Sequence, residues 1–265
     1  MKKGSIALAL AAVAAVASLA AIAALSAAPH ARAATLLYPD LRTLRATELR
    51  MENVVMPDGS QRNLLRFSNT VWNAGEGPIE LQGSTTSNGT VSQNVYDDGG
   101  AFATFPVGQN FTFHEGHNHW HFDDFAEYQL WTKSAYDAWV ASGRSVGQAQ
   151  RVGSKSTFCL MDTGIVQSLQ GSPSTAVYRQ CGLARQGISV GWGDTYRYYL
   201  ADQWIDLGAS QLADGAYVLR SVADPKNRIF ESPNREDAAR ESSVANEAIT
   251  PFLVQKGRIR TNGKR

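Results

Sequence analysis

His117, His119 and His121 recur at every second position in the stretch "HEGHNHWHF", which begins at His114. That spacing constrains the local backbone. On an extended strand alternate side chains point to one face, so three imidazoles at i, i+2 and i+4 converge while Asn118 and Trp120 face the other way. Four of the five histidines in the 265-residue chain fall in this stretch, and the fifth, His30, lies near the N-terminus. Three histidines packed in a core would need a partner for every buried ring nitrogen. A shared metal ion answers those nitrogens more simply, and a nitrogen-rich site suits Cu(II), Zn(II), Fe(II) or Ni(II).

His114 stands three residues before His117, on the opposite face of a regular strand unless Gly116 bends the chain back. It is expected either to support the ligands or to be structural. The run "HWHFDDFAE" also has the H-x-H and downstream Glu of a cupin, which would make Glu127 a ligand. A cupin adds a later histidine, and none follows His121. Glu127 is therefore kept as a candidate supporting group.

The N-terminus differs from the rest of the chain. Lys2 and Lys3 precede a long alanine-rich apolar run, and Ala31 and Ala33 supply the A-x-A pattern of signal-peptidase cleavage. Residues 1–33 are expected to be a signal peptide cut after Ala33, in preference to an uncleaved anchor, because alanine is only weakly apolar. No later segment is expected to span a bilayer. The protein is then exported, secreted or held at the cell envelope, where disulfides persist. Cys159 and Cys181 are the only cysteines and are expected to be bonded. With 25 Lys and Arg against 24 acids, the net charge of +1 offers no electrostatic footprint for nucleic acid.

Hydrophobic alternation predicts a mainly β fold: one antiparallel sandwich or barrel-like domain with long irregular loops and little helix. "RNLLRFSNTVWNAGEGPIELQG" reads as a strand, a turn at 75–78 and a second strand. "FAEYQLW" reads as a strand, and "LADGAYVLRSV" as a turn at Asp214 and Gly215 followed by a strand over 216–222. Only 134–150, with Tyr136, Trp139 and Val140 at helical spacing, predicts a helix. Long loops are expected between Gly83 and Phe111 and between Thr163 and Tyr196. The domain is placed at 34–255, followed over 256–265 by a basic tail, read as a solvated, frayed terminus or a weak adhesive for an anionic polymer.

The motif "HEGHNHWHFDDFAEYQLW" resembles the copper motif of the lysyl oxidase family. Three further stretches recur in the same order. "NLLRFSNTVWNAGEG" is similar to the strand before the copper motif, "VGSKSTFCLMDT" to the segment with the cofactor lysine, and "GWGDTYRYYLADQWIDL" to the segment with the cofactor tyrosine. Together they cover about residues 38–254. The resemblance implies that His117, His119 and His121 bind copper(II) and that Lys155 and Tyr196 become joined as lysine tyrosylquinone. It further implies a copper-dependent amine oxidase that converts primary amines to aldehydes, with release of ammonia and hydrogen peroxide, using dioxygen. The amines would be peptidyl lysine of extracellular proteins or small amines. The catalytic base is open between Asp123, which continues the i+2 series past His121, and Asp194, two residues before Tyr196. Asp202, Trp204 and Asp206 are expected to serve packing and loop bonding. Two other functions use the same imidazoles: a copper-sequestering protein without turnover, and a three-histidine dioxygenase or hydrolase.

Overall fold

The computed structural model describes residues 34–84, 90–153, 157–232 and 246–261. The expected leader, 1–33, lies outside the described residues, and the folded unit begins at Thr35. In chain order the strands are β1 (Leu41–Thr43), β2 (Thr47–Val55), β3 (Gln61–Asn73), β4 (Ile79–Gly83), β5 (Thr90–Tyr96), β6 (Phe102–His114), β7 (His119–Phe122) and β8 (Ala126–Thr132). The helix α1 (Lys133–Ala141) follows. Then come β9 (Arg151–Val152), β10 (Gly164–Ile165), β11 (Arg185–Ile188), β12 (Trp192–Tyr196), β13 (Trp204–Gly208), β14 (Gly215–Ala223), β15 (Glu247–Gln255) and β16 (Arg258–Thr261). The fold is mainly β, as the alternation predicts.

Among the described residues three sheets form, and every pairing between named strands is antiparallel. β3 is the hub of the first. β1 and β12 pair with its C-terminal half, β2 and β13 with its N-terminal half, and β12 leads on to β10. A strand covered on both faces buries almost every residue, and β3 does so from Asn63 onward. Its buried polar groups are answered locally: Asn69 donates to the Leu44 carbonyl at 2.9 Å, and Asn63 to that of Ala209 at 2.9 Å. The second sheet runs β11-β4-β5-β6-β7 and the third β16-β15-β14-β8-β9. One continuous core joins them, with Phe67, Phe122, Phe125, Tyr128 and Phe158 almost fully enclosed.

The strands read from "RNLLRFSNTVWN", "IELQG", "FAEYQLW" and "GAYVLRSV" form as β3, β4, β8 and β14. The turn between β3 and β4 is built by Asn73. Its carbonyl accepts from the amides of Asp40 and Gly75, and its amide donates to the carbonyls of Gly77 and Ile188. The helix is shorter than its pattern. Thr132 caps its start, Ser142 its end, and Gly143, at φ +68°, breaks it in the left-handed region.

Three expectations about irregular chain are corrected. The stretch from Gly83 to Phe111 is not a long loop; it holds β5 and most of β6. Its alternation is disguised because Gln93, fully buried on β5, occupies a position where an apolar residue is normal. Its amide group exchanges two hydrogen bonds with the Phe230 backbone, 2.7 and 3.0 Å, which makes the burial tolerable. The described part of the basic tail is not frayed either. Arg258–Thr261 pairs with β15 across a tight turn at Lys256 and Gly257, both at positive φ. The second expected loop, from Thr163 to Tyr196, is irregular only as far as Ala184, β10 apart; its last part is corrected, because it forms β11 and β12. Buried Asp162 organises it by accepting from the amides of Val177, Tyr178 and Ser189 and from the Ser189 hydroxyl.

Candidate metal centre

The histidine stretch is a hairpin, not one extended run. β6 and β7 pair with the register Phe111↔Phe122, Thr112↔His121, Phe113↔Trp120 and His114↔His119. Residues directly opposite in an antiparallel pair share a face. His114, His119, Thr112 and His121 therefore lie on one side, while Phe113 and Trp120 meet edge-to-face on the other at 5.4 Å. His117 is in the turn, not on the strand. The amides of His117 and Asn118 both donate to the His114 carbonyl, at 3.1 and 2.8 Å, and Asn118 adopts φ +56° to close the loop. This corrects the simple alternation over 117–121. It also explains His114: the fold of the hairpin, rather than a kink at Gly116, returns it to the ligand face.

Four imidazoles are thereby crowded together. Ring centroids are 4.4 Å apart for His114 and His117, 4.8 Å for His114 and His121, 5.0 Å for His117 and His121, 4.8 Å for His119 and His121, and 5.5 Å for His117 and His119. Among the described residues, ligand atoms of His114, His117 and His121 lie within 4.8 Å of one another; the expected ligand His119 is not in that set, and His114 takes its place. His117 Nδ1 and His121 Nε2 face each other at 3.3 Å. Two nitrogens bound side by side to one ion at about 2.0–2.1 Å lie about 2.9–3.4 Å apart. The donors present thus fit a nitrogen-ligated transition metal.

Groups around the cluster fix its orientation. His121 is 1% exposed, and its Nδ1 lies 2.9 Å from the Thr157 hydroxyl. The Asp202 carboxylate approaches His114 Nε2 at 3.6 Å. Asp123 follows β7 and accepts from the Thr112 hydroxyl at 2.7 Å, so it stands beside the residue paired with His121. Glu127 bonds Gln129 along its own strand, β8.

Tyr196 ends β12 and is 6% exposed, its ring against Phe158 at 4.2 Å. Its hydroxyl accepts from the Cys159 amide at 2.8 Å and lies 3.3 Å from the Cys159 carbonyl. Burial pushes the phenol well above its ordinary pKa, and the nearby Asp194 carboxylate raises it further. Asp194 is 1% exposed and two residues away on the same strand, so both side chains share a face. Lys155 lies outside the described residues.

The segment after Lys155 links the histidines to the tyrosine. Phe158 and Phe122 exchange backbone hydrogen bonds of 2.7 and 3.0 Å, an isolated bridge beside His121. Within three residues the chain contacts His121 through Thr157 and Tyr196 through Cys159. The expected Cys159–Cys181 disulfide is present, and the Cys181 carbonyl accepts from the Trp120 amide at 3.2 Å. Fully buried Gln186 completes the brace: it accepts from the Leu160 amide and donates to the carbonyls of Trp120 and Gly182. Thr157, Gln186, Thr112 and the contact of Asp202 with His114 were not foreseeable from spacing. Thr157, Gln186 and Asp202 act across long sequence separations, and Thr112 across the hairpin.

The chain is similar in sequence to known proteins. The family model for lysyl oxidase matches residues 90–248, which include the histidine hairpin, the Lys155 segment and Tyr196. Lysyl oxidase homolog 4 of Mus musculus is 27% identical over 171 residues, covering 64% of this chain and 17% of the relative. Lysyl oxidase homolog 2B of Danio rerio is 26% identical over 176 residues, covering 66% and 18%. Lysyl oxidase homolog 4 of Bos taurus is 31% identical over 119 residues, covering 45% and 13%. The chain matches less than a fifth of the length of these much larger relatives. With the histidine hairpin and the tyrosine strand both inside the matched region, the chain belongs to the lysyl oxidase family.

Proposed function

We propose that the chain is an exported, copper-dependent amine oxidase, with residues 1–33 as its signal peptide and a catalytic domain from 34 that the β15–β16 hairpin carries past 255 to Thr261. The observation that carries this is the three-residue stretch 157–159, which touches His121 at one end and Tyr196 at the other, two residues beyond Lys155. His117, His119 and His121 are the proposed copper ligands, with His114 within reach on the same face. Lys155 and Tyr196 are the proposed precursors of lysine tyrosylquinone. When bound, copper and the quinone supply an electron sink through which a primary amine, dioxygen and water become an aldehyde, ammonia and hydrogen peroxide.

The chain's own residues prepare the site. The Cys159 backbone pins the phenol of Tyr196, and burial together with the Asp194 charge raises its pKa, so losing its proton is harder than for a free tyrosine. Phe158 shields the ring from water. Asp123, oriented by Thr112 beside the histidine strand, is the proposed group to take the substrate's proton, with Asp194, 1% exposed on the Tyr196 face of β12, as the alternative. The proposed substrates are primary amines, either peptidyl lysine or small amines.

Peroxide release from a panel of primary amines by the purified, copper-loaded protein tests this. Wild type is expected to release peroxide, and Tyr196→Phe to keep its copper and release none. A Tyr196→Phe protein that still makes peroxide removes the tyrosine from the cofactor. A wild type that binds copper without turnover is instead a sequestering protein.

A further inference from the structure

We infer that Thr157 is a positioning residue for the metal centre: its hydroxyl orients His121 and ties the lysine-bearing segment to the histidine strand. This rests on the copper reading of the histidine cluster. A neutral imidazole carries a proton on one nitrogen and a lone pair on the other. Thr157 Oγ1 lies 2.9 Å from Nδ1 of His121, and Nε2 of the same ring faces His117 Nδ1 at 3.3 Å. With Nδ1–H donating to the hydroxyl, the Nε2 lone pair is held toward the other imidazoles, where a metal ion requires it. A partner on the second ring nitrogen is the usual means by which a protein fixes a metal-binding histidine.

The hydroxyl has little freedom to leave. The residue after Thr157 and the residue after His121 are locked by the paired bonds between Phe158 and Phe122. A β-branched side chain has few χ1 alternatives on such a backbone. The two residues are 36 positions apart, so the contact exists only because the segment docks on β7. Docking also sets the Cys159 amide on the Tyr196 hydroxyl. The Thr157 bond, together with the paired Phe158–Phe122 bonds, therefore registers His121 against the segment that contacts Tyr196.

Thr157→Val keeps the branched shape and removes the hydroxyl; Thr157→Ser keeps the hydroxyl. Both are compared with wild type as full mature chains, stripped of metal and reloaded with Cu(II). The readouts are Cu(II) affinity by chelator competition, the Cu(II) electron paramagnetic resonance spectrum, and the thermal melt of the metal-free protein. Thr157→Val is expected to bind Cu(II) about 10–100-fold more weakly, with shifted hyperfine splitting, and Thr157→Ser to restore both. Thr157→Ala replaces the valine variant if that chain does not fold. A hydroxyl-free variant with wild-type affinity and spectrum overturns the inference while leaving the metal centre intact. A wild type whose Cu(II) binding is indifferent to His121→Ala overturns the metal centre, and the role of Thr157 with it.

Discussion

Two crowded polar clusters sit on this framework, and they are built on opposite principles. Beside α1, Glu247 is gripped by two guanidiniums: Arg144 binds both its oxygens, and Arg220 Nε donates to it at 2.7 Å. Both cations lie over the Trp139 ring, at 5.0 and 5.2 Å, and the Gln129 carbonyl accepts from Arg220 and from the Trp131 indole. The positive charges face a carboxylate, a side-chain carbonyl and an aromatic face. In the histidine hairpin, by contrast, ring nitrogens face one another, His117 Nδ1 and His121 Nε2 at 3.3 Å, and the Asp202 carboxylate approaches His114 at 3.6 Å. A cluster whose charges are mutually answered holds a helix to a sheet. A cluster of ring nitrogens converging on one point has the geometry that the proposed copper ion would fill.

The contrast can be broken at either cluster. Removing the carboxylate of the first has the largest expected effect. Glu247→Ala leaves two partly buried arginines facing each other and should cost about 3–5 kcal/mol of stability by denaturant titration, with Cu(II) binding unchanged in the folded fraction. His121→Ala should do the reverse. Copper affinity should fall by more than about 100-fold, beyond what loss of a supporting hydrogen bond produces, while the metal-free melt shifts far less than for Glu247→Ala. If both variants lose stability and copper together, the two clusters are not separable. Asp202→Asn should do least. Its side chain is 39% exposed, so the pair with His114 is worth under about 1 kcal/mol, and Cu(II) titration should remain close to wild type. A copper loss as large as that of His121→Ala would place Asp202 in the donor set.

Much of this was legible in the sequence, for identifiable reasons. β3, β4, β8 and β14 declare themselves because apolar residues and Gly or Pro turns coincide there. β5 hides behind Gln93, whose burial depends on Phe230, a partner 137 residues away. β16 hides because its one apolar residue, Ile259, stands between two arginines; pairing with β15 and the packing of Ile259 against the core support it. The convergence of His119 and His121 follows from their spacing. The place of His114 does not, because it depends on a hairpin register that only the turn at 115–118 sets. Thr157 was beyond reach for a related reason: its meaning lies in docking against β7. The pairing of Cys159 with Cys181 was legible, but its consequence was not. The disulfide joins the backbone beneath Tyr196 to the backbone behind Trp120.

Peptide mass mapping of the copper-loaded mature protein tests the central claim most directly. If the histidine hairpin holds copper close to the tyrosine strand, digestion should release the Lys155 and Tyr196 peptides as one crosslinked species in wild type, and as two separate peptides in His121→Ala. Separate, unmodified peptides from fully copper-loaded wild type would contradict it.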